Sequence, residues 1–237
     1  MSRSIPSGHA CVYSVATFRF GSSTAVIEAT VTRDAAVADA WVRSLRASHP
    51  RGARLLLGLD CKWRQQTTKQ HQQPPDGEDE DNDGDSHRRR SWAAAAVPSR
   101  AAVLLLCAGG GSCLVLQLLY ARRVPECLLG DPAVRLVGVG VGEGAARLAA
   151  DHGLVCAAAV DLAGPCDAYL GLESAGDDSD GLGLKEYAKE VLGLNMERPD
   201  SVAMSDWEKQ DLDVAQVRYA CVDAYVSYRL GERVLGD

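Results

Sequence analysis

The sequence predicts an α/β fold, a mixed sheet flanked by helices, with a β-hairpin at the N-terminal end. Three patterns indicate this class: two alternating β-branched segments open the chain, a nearly unbroken apolar strand follows a first helix, and strands then alternate with helices. With 237 residues, 46% of them hydrophobic, the chain is long enough to bury one sizeable core. We therefore expect a single domain over residues 10–237.

Alternation and capping predict the first elements. Residues 10–20 and 24–32 alternate in polarity, and the Gly-Ser-Ser between them favours a hairpin. Asp34 is placed to cap a helix over residues 34–48. Residues 54–60 read RLLLGLD, and this apolar run indicates a central strand buried on both faces.

Residues 65–99 differ from the rest of the chain in composition. Glutamines, prolines, acids and then arginines make this segment too polar to bury itself, which predicts a disordered insertion within the domain. The chain carries 32 acidic and 25 basic residues, a net charge of −7. Without residues 76–90, 25 acidic and 22 basic residues remain, a net charge of −3. That near balance neither demands nor excludes a nucleic-acid ligand.

After the insertion the alternation of strands and helices resumes. Glycines after the first new strand favour a tight turn, and Asp213 with Gln216 resembles the capping box of a long last helix. The predicted elements are strands at 101–107 and 113–118, a helical turn at 124–129, a strand at 134–141, a helix at 143–152, a strand at 157–162, and helices at 184–192 and 214–235.

Composition also bears on the compartment. Residues 101–121 approach the length of about 20 residues that spans a bilayer, but glycines and polar residues interrupt them, so we predict no membrane span. Residues 1–6 lack the apolar core of a signal peptide, which predicts a protein that is not secreted. The eight cysteines show no zinc-site spacing. We expect intracellular thiols, in the nucleus or the cytoplasm.

Two motifs suggest binding sites of other classes. Asp79, Asp81 and Asp83 match the first half of a calcium loop, but Arg90 stands where the loop requires a glutamate, and a solvated charge run is the alternative. Residues 140–145 satisfy G-x-G-x-x-A, with Asp161 about twenty residues further on, as in a dinucleotide site. Several strands precede this motif and no second half follows, so close strand-to-helix packing by glycines is the alternative.

A third candidate site is spread over the chain. Asp60 ends the predicted buried strand, and Tyr219 and Asp223 lie four residues apart on one face of the last helix. A strand end and a helix face can converge on a cation. The alternative is that Tyr219 packs in the core while Asp223 is exposed.

Three segments carry a resemblance to a known family. Residues 57–64 (LGLDCKWR), 137–141 (VGVGV) and 216–224 (QVRYACVDA) resemble the three motifs of the Werner-syndrome-type 3′-5′ exonucleases of the DEDDy class, particularly their plant relatives. The likeness runs from about residue 12 to residue 235. It implies a ribonuclease-H-like fold and a site built for two divalent ions, Mg²⁺ or Mn²⁺.

The resemblance also implies roles for single residues. In that family four carboxylates hold the metals, and a tyrosine helps to position the attacking water. Asp60 matches the first carboxylate, Asp223 the last, and Tyr219 the tyrosine. Two positions depart from the motif: Lys62 stands in place of a glutamate and Gly144 in place of an aspartate.

Charge decides what these departures mean. Asp60, Asp223 and a protonated Lys62 supply a charge of −1 where four carboxylates supply −4, too little to hold two Mg²⁺ ions about 4 Å apart. Glu143 could replace the missing aspartate only by swinging round, because one residue turns about 100° round a helix. We expect no two-metal occupancy, and an ion pair between Lys62 and Asp60 or Asp223.

The sequence thus predicts a 3′-5′ exonuclease-family domain that binds the 3′ end of a single-stranded nucleic acid, DNA or RNA. Its phosphodiester hydrolysis is predicted to be lost or strongly reduced. Two alternatives remain open at this stage. One is an active metal-dependent 3′-5′ exonuclease, and the other is a regulatory pseudoenzyme that binds a protein partner.

Overall fold

A computed structural model describes residues 13–20, 25–50, 52–64, 99–122, 124, 126–172 and 182–236. The candidate calcium loop and all but the last residue of the predicted insertion lie outside these ranges. Within them, seven strands form one mixed sheet. The strands are β1 (Tyr13–Phe20), β2 (Ala25–Thr32), β3 (Leu55–Lys62), β4 (Val103–Cys107), β5 (Ser112–Gln117), β6 (Val134–Gly138) and β7 (Ala159–Asp161).

The strand order across the sheet is β1-β2-β5-β4-β3-β6-β7. β1 and β2 pair antiparallel as the predicted hairpin, and β3, β4 and β5 are antiparallel neighbours. β2 pairs parallel to β5, and β3, β6 and β7 run parallel to one another. The predicted mixed sheet with an N-terminal hairpin is therefore confirmed, and β3 has neighbours on both sides.

Helices cover both faces of this sheet. They are α1 (Ala35–Ala47), α2 (Glu126–Leu129), α3 (Val141–His152), α4 (Ala163–Leu170), α5 (Leu184–Leu192), α6 (Asp200–Ala203) and α7 (Val214–Leu235). Asp34 caps α1 as predicted, since its carboxylate accepts a hydrogen bond from Ala36 N. Buried residues of α5 and α7 pack on one face of the sheet, and those of α1 and α3 pack on the other.

Several elements near the site differ from the sequence prediction. β3 continues to Lys62, two residues further than predicted, which places Lys62 on the strand itself. β6 ends at Gly138 because Gly140 adopts a left-handed conformation, with φ of 69°, and α3 begins at the next residue. α4 and α6 were not predicted; in α4 the proline lies in the first turn, where a helix tolerates it.

The apolar stretch at 101–121 forms strands rather than a membrane helix. β4 and β5 occupy most of it and pair with each other. Across the described ranges, every helix is too short or too polar to cross a bilayer. The six cysteines that the structure describes are free thiols, and five of them are buried.

Gly58 sets the distance between α7 and the centre of the sheet. A Cβ atom at Gly58 would overlap the carbonyl oxygen of Ala224 and lie 2.7 Å from Tyr228 N. Only a residue without a side chain allows α7 to approach β3 so closely. This close packing brings the middle of α7 beside the C-terminal end of β3, where the candidate residues lie.

Candidate functional site

Two regular elements position the predicted site residues. Asp60 and Lys62 are two residues apart on β3, so their side chains leave the same face of the sheet, toward α7. Tyr219 and Asp223 are four residues apart on α7 and lie on one face of that helix. The predicted capping box fixes the start of α7.

Lys62 lies between two carboxylates. Its Nζ is 2.6 Å from Asp60 Oδ2 and 2.7 Å from Asp223 Oδ2. The side chain of Asp223 is only 1% exposed and that of Lys62 only 11%. The sequence predicted an ion pair with one of these carboxylates, and the structure contains contacts with both.

A second cation completes the cluster. Arg198 Nη2 lies 3.2 Å from Asp223 Oδ2, the same oxygen that accepts a hydrogen bond from Lys62. Asp60 Oδ1 accepts a hydrogen bond of 2.7 Å from Cys61 N. With both carboxylates ionised, the four side chains of Asp60, Lys62, Arg198 and Asp223 carry a net charge of zero. We call these four residues the charge cluster.

Aromatic rings border the two cations. Lys62 Nζ lies 4.8 Å from the ring centroid of Tyr219 and 6.0 Å from that of Trp207. The guanidinium carbon of Arg198 is 5.7 Å from the Tyr219 centroid. These distances are within the range in which a ring attracts a cation. Tyr219, the residue that matches the family's water-positioning tyrosine, thus packs against both cations.

Burial and charge act in opposite directions on the ionisable groups. Burial lowers the pKa of Lys62, but Asp60 and Asp223 outweigh this effect, so that its pKa is raised. Burial raises the pKa of Asp223, and the neighbouring Lys62 counteracts part of that rise. Burial also raises the pKa of Tyr219. Lys62 therefore remains a charged ammonium at neutral pH.

Gly144 and Glu143 lie on α3, outside the charge cluster. A Cβ atom at Gly144 would lie 3.2 Å from Cys61 Cβ, so this position adjoins the end of β3. The Glu143 carboxylate instead pairs with Arg147, at 3.3 Å from Nε, and its side chain is 65% exposed. Arg147 in turn lies over the ring of Trp63. Glu143 thus takes part in a surface network.

The glycine-rich motif at 140–145 begins α3, and Gly138 ends the strand before it. A Cβ atom at Gly138 would lie 2.8 Å from Leu59 O on the neighbouring strand. Asp161, the candidate ribose ligand of a dinucleotide site, accepts a hydrogen bond of 3.0 Å from Ala163 N at the start of α4. Close packing therefore accounts for Gly138, and for Gly144 beside Cys61, but a Cβ atom at Gly140 or Gly142 would meet nothing within 4 Å.

Several known proteins are similar to this chain in sequence or in fold. No family model matches the chain. The mouse protein "Exonuclease 3'-5' domain-containing protein 2" is 33% identical over 125 residues, which cover 51% of this chain and 18% of that protein. The Drosophila melanogaster protein of the same name is 30% identical over 128 residues, which cover 53% and 21%. These relatives support a 3′-5′ exonuclease domain.

The chain spans about a fifth of the length of these relatives. A solved structure, the Trypanosoma brucei RNase D complex with RNA U12, matches with a TM-score of 0.62 and 16% identity. The match covers 88% of this chain and 63% of that one. It confirms the predicted ribonuclease-H-like α/β fold.

The residues of the charge cluster do not fit a pair of divalent ions. The described ranges hold no group of three or more His, Cys, Asp or Glu side chains that could bind a metal. The ammonium of Lys62 lies between the two retained carboxylates, and it has no lone pair to offer a metal. Mg²⁺ requires oxygen ligands, and here one oxygen of each carboxylate, Asp60 Oδ2 and Asp223 Oδ2, already contacts the Lys62 ammonium.

Sequence reasoning missed Arg198 and Trp207. Both lie outside regular helices and strands, in the segments between α5 and α7, where no periodicity assigns a side chain to a face. One signal was available for Arg198. The charge of −1 counted for Asp60, Asp223 and Lys62 is unfavourable in a buried site, and it called for a second cation nearby.

Proposed function

We propose that this chain is an exonuclease-family domain of DEDDy descent that binds the 3′ end of a single-stranded nucleic acid and has lost, or strongly reduced, phosphodiester hydrolysis. One observation carries the loss of hydrolysis. The Nζ atom of Lys62 lies within 2.7 Å of both retained carboxylates.

A charged ammonium cannot replace a metal in hydrolysis. A divalent ion activates a water molecule and stabilises charge on the reacting oxygens, because it accepts their lone pairs. Lys62 has only N–H donors, and its raised pKa keeps the proton that would have to leave before it could act as a base. Tyr219 packs against two cations, which restricts its ring.

The proposed ligand rests on three lines of support. The curated relatives are named for a 3′-5′ exonuclease domain, and the RNase D that shares the fold was solved as a complex with RNA. A cavity of about 370 Å³ adjoins Tyr219 and is lined by Pro199, Ala215 and Arg218 among others. That volume lies within the range of small-molecule sites and suits a unit the size of a nucleoside.

A labelled oligonucleotide tests both halves of the proposal. The chain is incubated with a 5′-labelled single-stranded oligonucleotide and a series of Mg²⁺ or Mn²⁺ concentrations. We expect a shift in fluorescence anisotropy that weakens with salt, without a ladder of shortened products. The Asp60→Ala variant, prepared in parallel, measures nuclease contamination.

Two results would contradict this proposal. Product ladders from the wild type that disappear in Asp60→Ala would show an active metal-dependent exonuclease. A lack of oligonucleotide binding at low salt would favour the alternative of a pseudoenzyme that binds a protein partner.

A second candidate, hydrolysis supported by one metal ion, is favoured by one atom. Asp223 Oδ1 is buried and has no hydrogen-bond partner in the part of the chain that the structure describes, so one carboxylate oxygen stays available at the site. In the same metal series, this candidate predicts slow laddering that increases with Mn²⁺. The main proposal predicts no increase over the Asp60→Ala background.

A further inference from the structure

We infer that Lys62 and Arg198 replace the metal ions as ligands of the terminal phosphodiester, so that this domain binds nucleic acid ends without a divalent metal. The inference rests on the proposed binding function and concerns how the ligand is held. It starts from the finding that the residues of the charge cluster do not fit a metal pair.

The charge cluster has the same net charge as a four-carboxylate site that has bound two divalent ions. Four carboxylates with two divalent ions sum to zero, and such a site accepts a phosphodiester. In the charge cluster, two carboxylates with an ammonium and a guanidinium also sum to zero. An incoming phosphate therefore meets no excess of negative charge. Without any metal ion, the charge cluster already has the net charge of zero that a site with four carboxylates reaches only after it binds two divalent ions.

The two cations of the charge cluster lie next to each other. Lys62 and Arg198 contact the same oxygen, Asp223 Oδ2, at 2.7 and 3.2 Å, so their positive charges lie side by side. Two cations at one carboxylate oxygen can also face two oxygens of one phosphate. Ammonium and guanidinium groups are the usual phosphate ligands of proteins.

Lys62 and Arg198 have N–H donors in addition to those that contact the carboxylates. The Nε of Arg198 is buried and has no hydrogen-bond partner among the described residues, although the arginine side chain as a whole is 34% exposed. The Lys62 ammonium has three donors, and it contacts two carboxylate oxygens, one on Asp60 and one on Asp223. Both cations therefore have donor capacity beyond their contacts with the carboxylates.

Both cations are held in position before a ligand binds. The carboxylates fix the positions of both cations, and the rings of Tyr219 and Trp207 border them. Fixed donors lose less conformational entropy when a ligand binds than flexible surface lysines do. The ligand class is thus the end of a nucleic-acid strand, recognised through its last phosphodiester.

The test compares binding with and without metal. The full chain is titrated against a 5′-fluorescein single-stranded oligonucleotide, either in excess EDTA or in MgCl₂, and anisotropy gives Kd. We expect the two Kd values to agree within about twofold, because the site supplies its own cations. A circular oligonucleotide of equal length, which has no end, should compete poorly with the linear one.

Arg198→Gln removes one proposed phosphate ligand, and Arg229→Gln is its matched control. Arg229 also pairs with an acid, Glu232, at 3.0 Å, and also lies over a tyrosine ring, at 5.9 Å from Tyr225. Its side chain is 38% exposed, close to the 34% of Arg198. We expect Arg198→Gln to raise Kd about tenfold and to lower the salt slope by about one. Arg229→Gln should change Kd less than about twofold.

Each outcome decides between the two claims. Loss of binding in EDTA, restored by Mg²⁺, would overturn the inference while leaving the proposed binding function intact. Equal Kd values for Arg198→Gln and Arg229→Gln would overturn it as well. Binding in neither EDTA nor MgCl₂ would overturn the proposed function, and the inference with it.

Discussion

Lys62 Nζ donates a hydrogen bond of 2.7 Å to Asp223 Oδ2, although 161 positions separate the two residues along the chain. This contact joins β3 to α7, the elements that carry the first and the last motif. A covalently attached ammonium, which cannot dissociate as an ion can, links the two elements. The charge cluster thus connects two elements that are distant along the chain.

Lys62→Met should therefore destabilise the protein. The variant keeps the length of the side chain but leaves Asp60 and Asp223 close together with only Arg198 to compensate them. Breaking a buried ion pair on one side costs about 3 kcal/mol, and we expect a loss of this size in the free energy of unfolding. Urea denaturation followed by tryptophan fluorescence measures it.

Lys209→Met is the matched control for that loss. Lys209 pairs with Asp213 at 2.9 Å, but this pair lies on the surface, with side chains 35% and 56% exposed. Surface pairs of this kind contribute below about 0.5 kcal/mol. Equal unfolding free energies for the two variants would show that the Lys62 bridge does not stabilise the fold.

Repair of the two departures should create a metal site. Lys62→Glu combined with Gly144→Asp brings the number of carboxylates to four, and we expect Mn²⁺ to raise Tm by several degrees at saturation. The new Asp requires a small shift, because its Cβ would lie 3.2 Å from Cys61 Cβ. Differential scanning fluorimetry in Mn²⁺ and in EDTA gives the difference.

The neutral double variant Lys62→Gln with Gly144→Asn controls for shape in this experiment. It has nearly the same volume but adds no carboxylate, so its Tm should not depend on Mn²⁺. Lys62→Glu alone should respond little, since it supplies only three carboxylates. If the acidic double variant shows no more Mn²⁺ dependence than the neutral one, the lost carboxylates are not what prevents metal binding.

The sequence allowed prediction of those parts of the site that lie on regular elements. The two-residue period of a strand and the 3.6-residue period of a helix assign Asp60, Lys62, Tyr219 and Asp223 to faces that can meet. Arg198 follows α5 in a segment without repeat, where packing against the rest of the fold decides the direction of a side chain. The end of β6 was misplaced for a local reason, since the left-handed conformation of Gly140 interrupts an apolar run that otherwise continues.

Raising the pH should not admit a metal to the wild-type site. The folded-state pKa of Lys62 is raised above the ordinary lysine value of about 10.4. The stabilising charge is therefore fully present below about pH 10.4 and is lost only as the pH rises through the higher folded value. We expect Tm in MgCl₂ to equal Tm in EDTA at neutral pH and at about pH 9.

The acidic double variant serves as the positive control for this measurement. A wild-type protein that Mg²⁺ stabilises near pH 9 but not near pH 7 would contradict the assigned direction of the Lys62 shift. It would mean that the ammonium loses its proton early and leaves Asp60 and Asp223 free for the metal.

Gly58→Ala tests whether the approach of α7 to β3 holds the site together. The added methyl group would overlap the carbonyl oxygen of Ala224, and neither backbone can give way without moving α7. We expect a loss of about 3 kcal/mol in unfolding free energy and, in the protein that still folds, weaker oligonucleotide binding because Asp223 moves away from Lys62. Gly142→Ala is the control: its new Cβ meets nothing within 4 Å, and in the first turn of α3 alanine should add less than about 1 kcal/mol. A Gly58→Ala protein as stable as the Gly142→Ala protein would show that α7 does not need the glycine in order to bring Asp223 to Lys62.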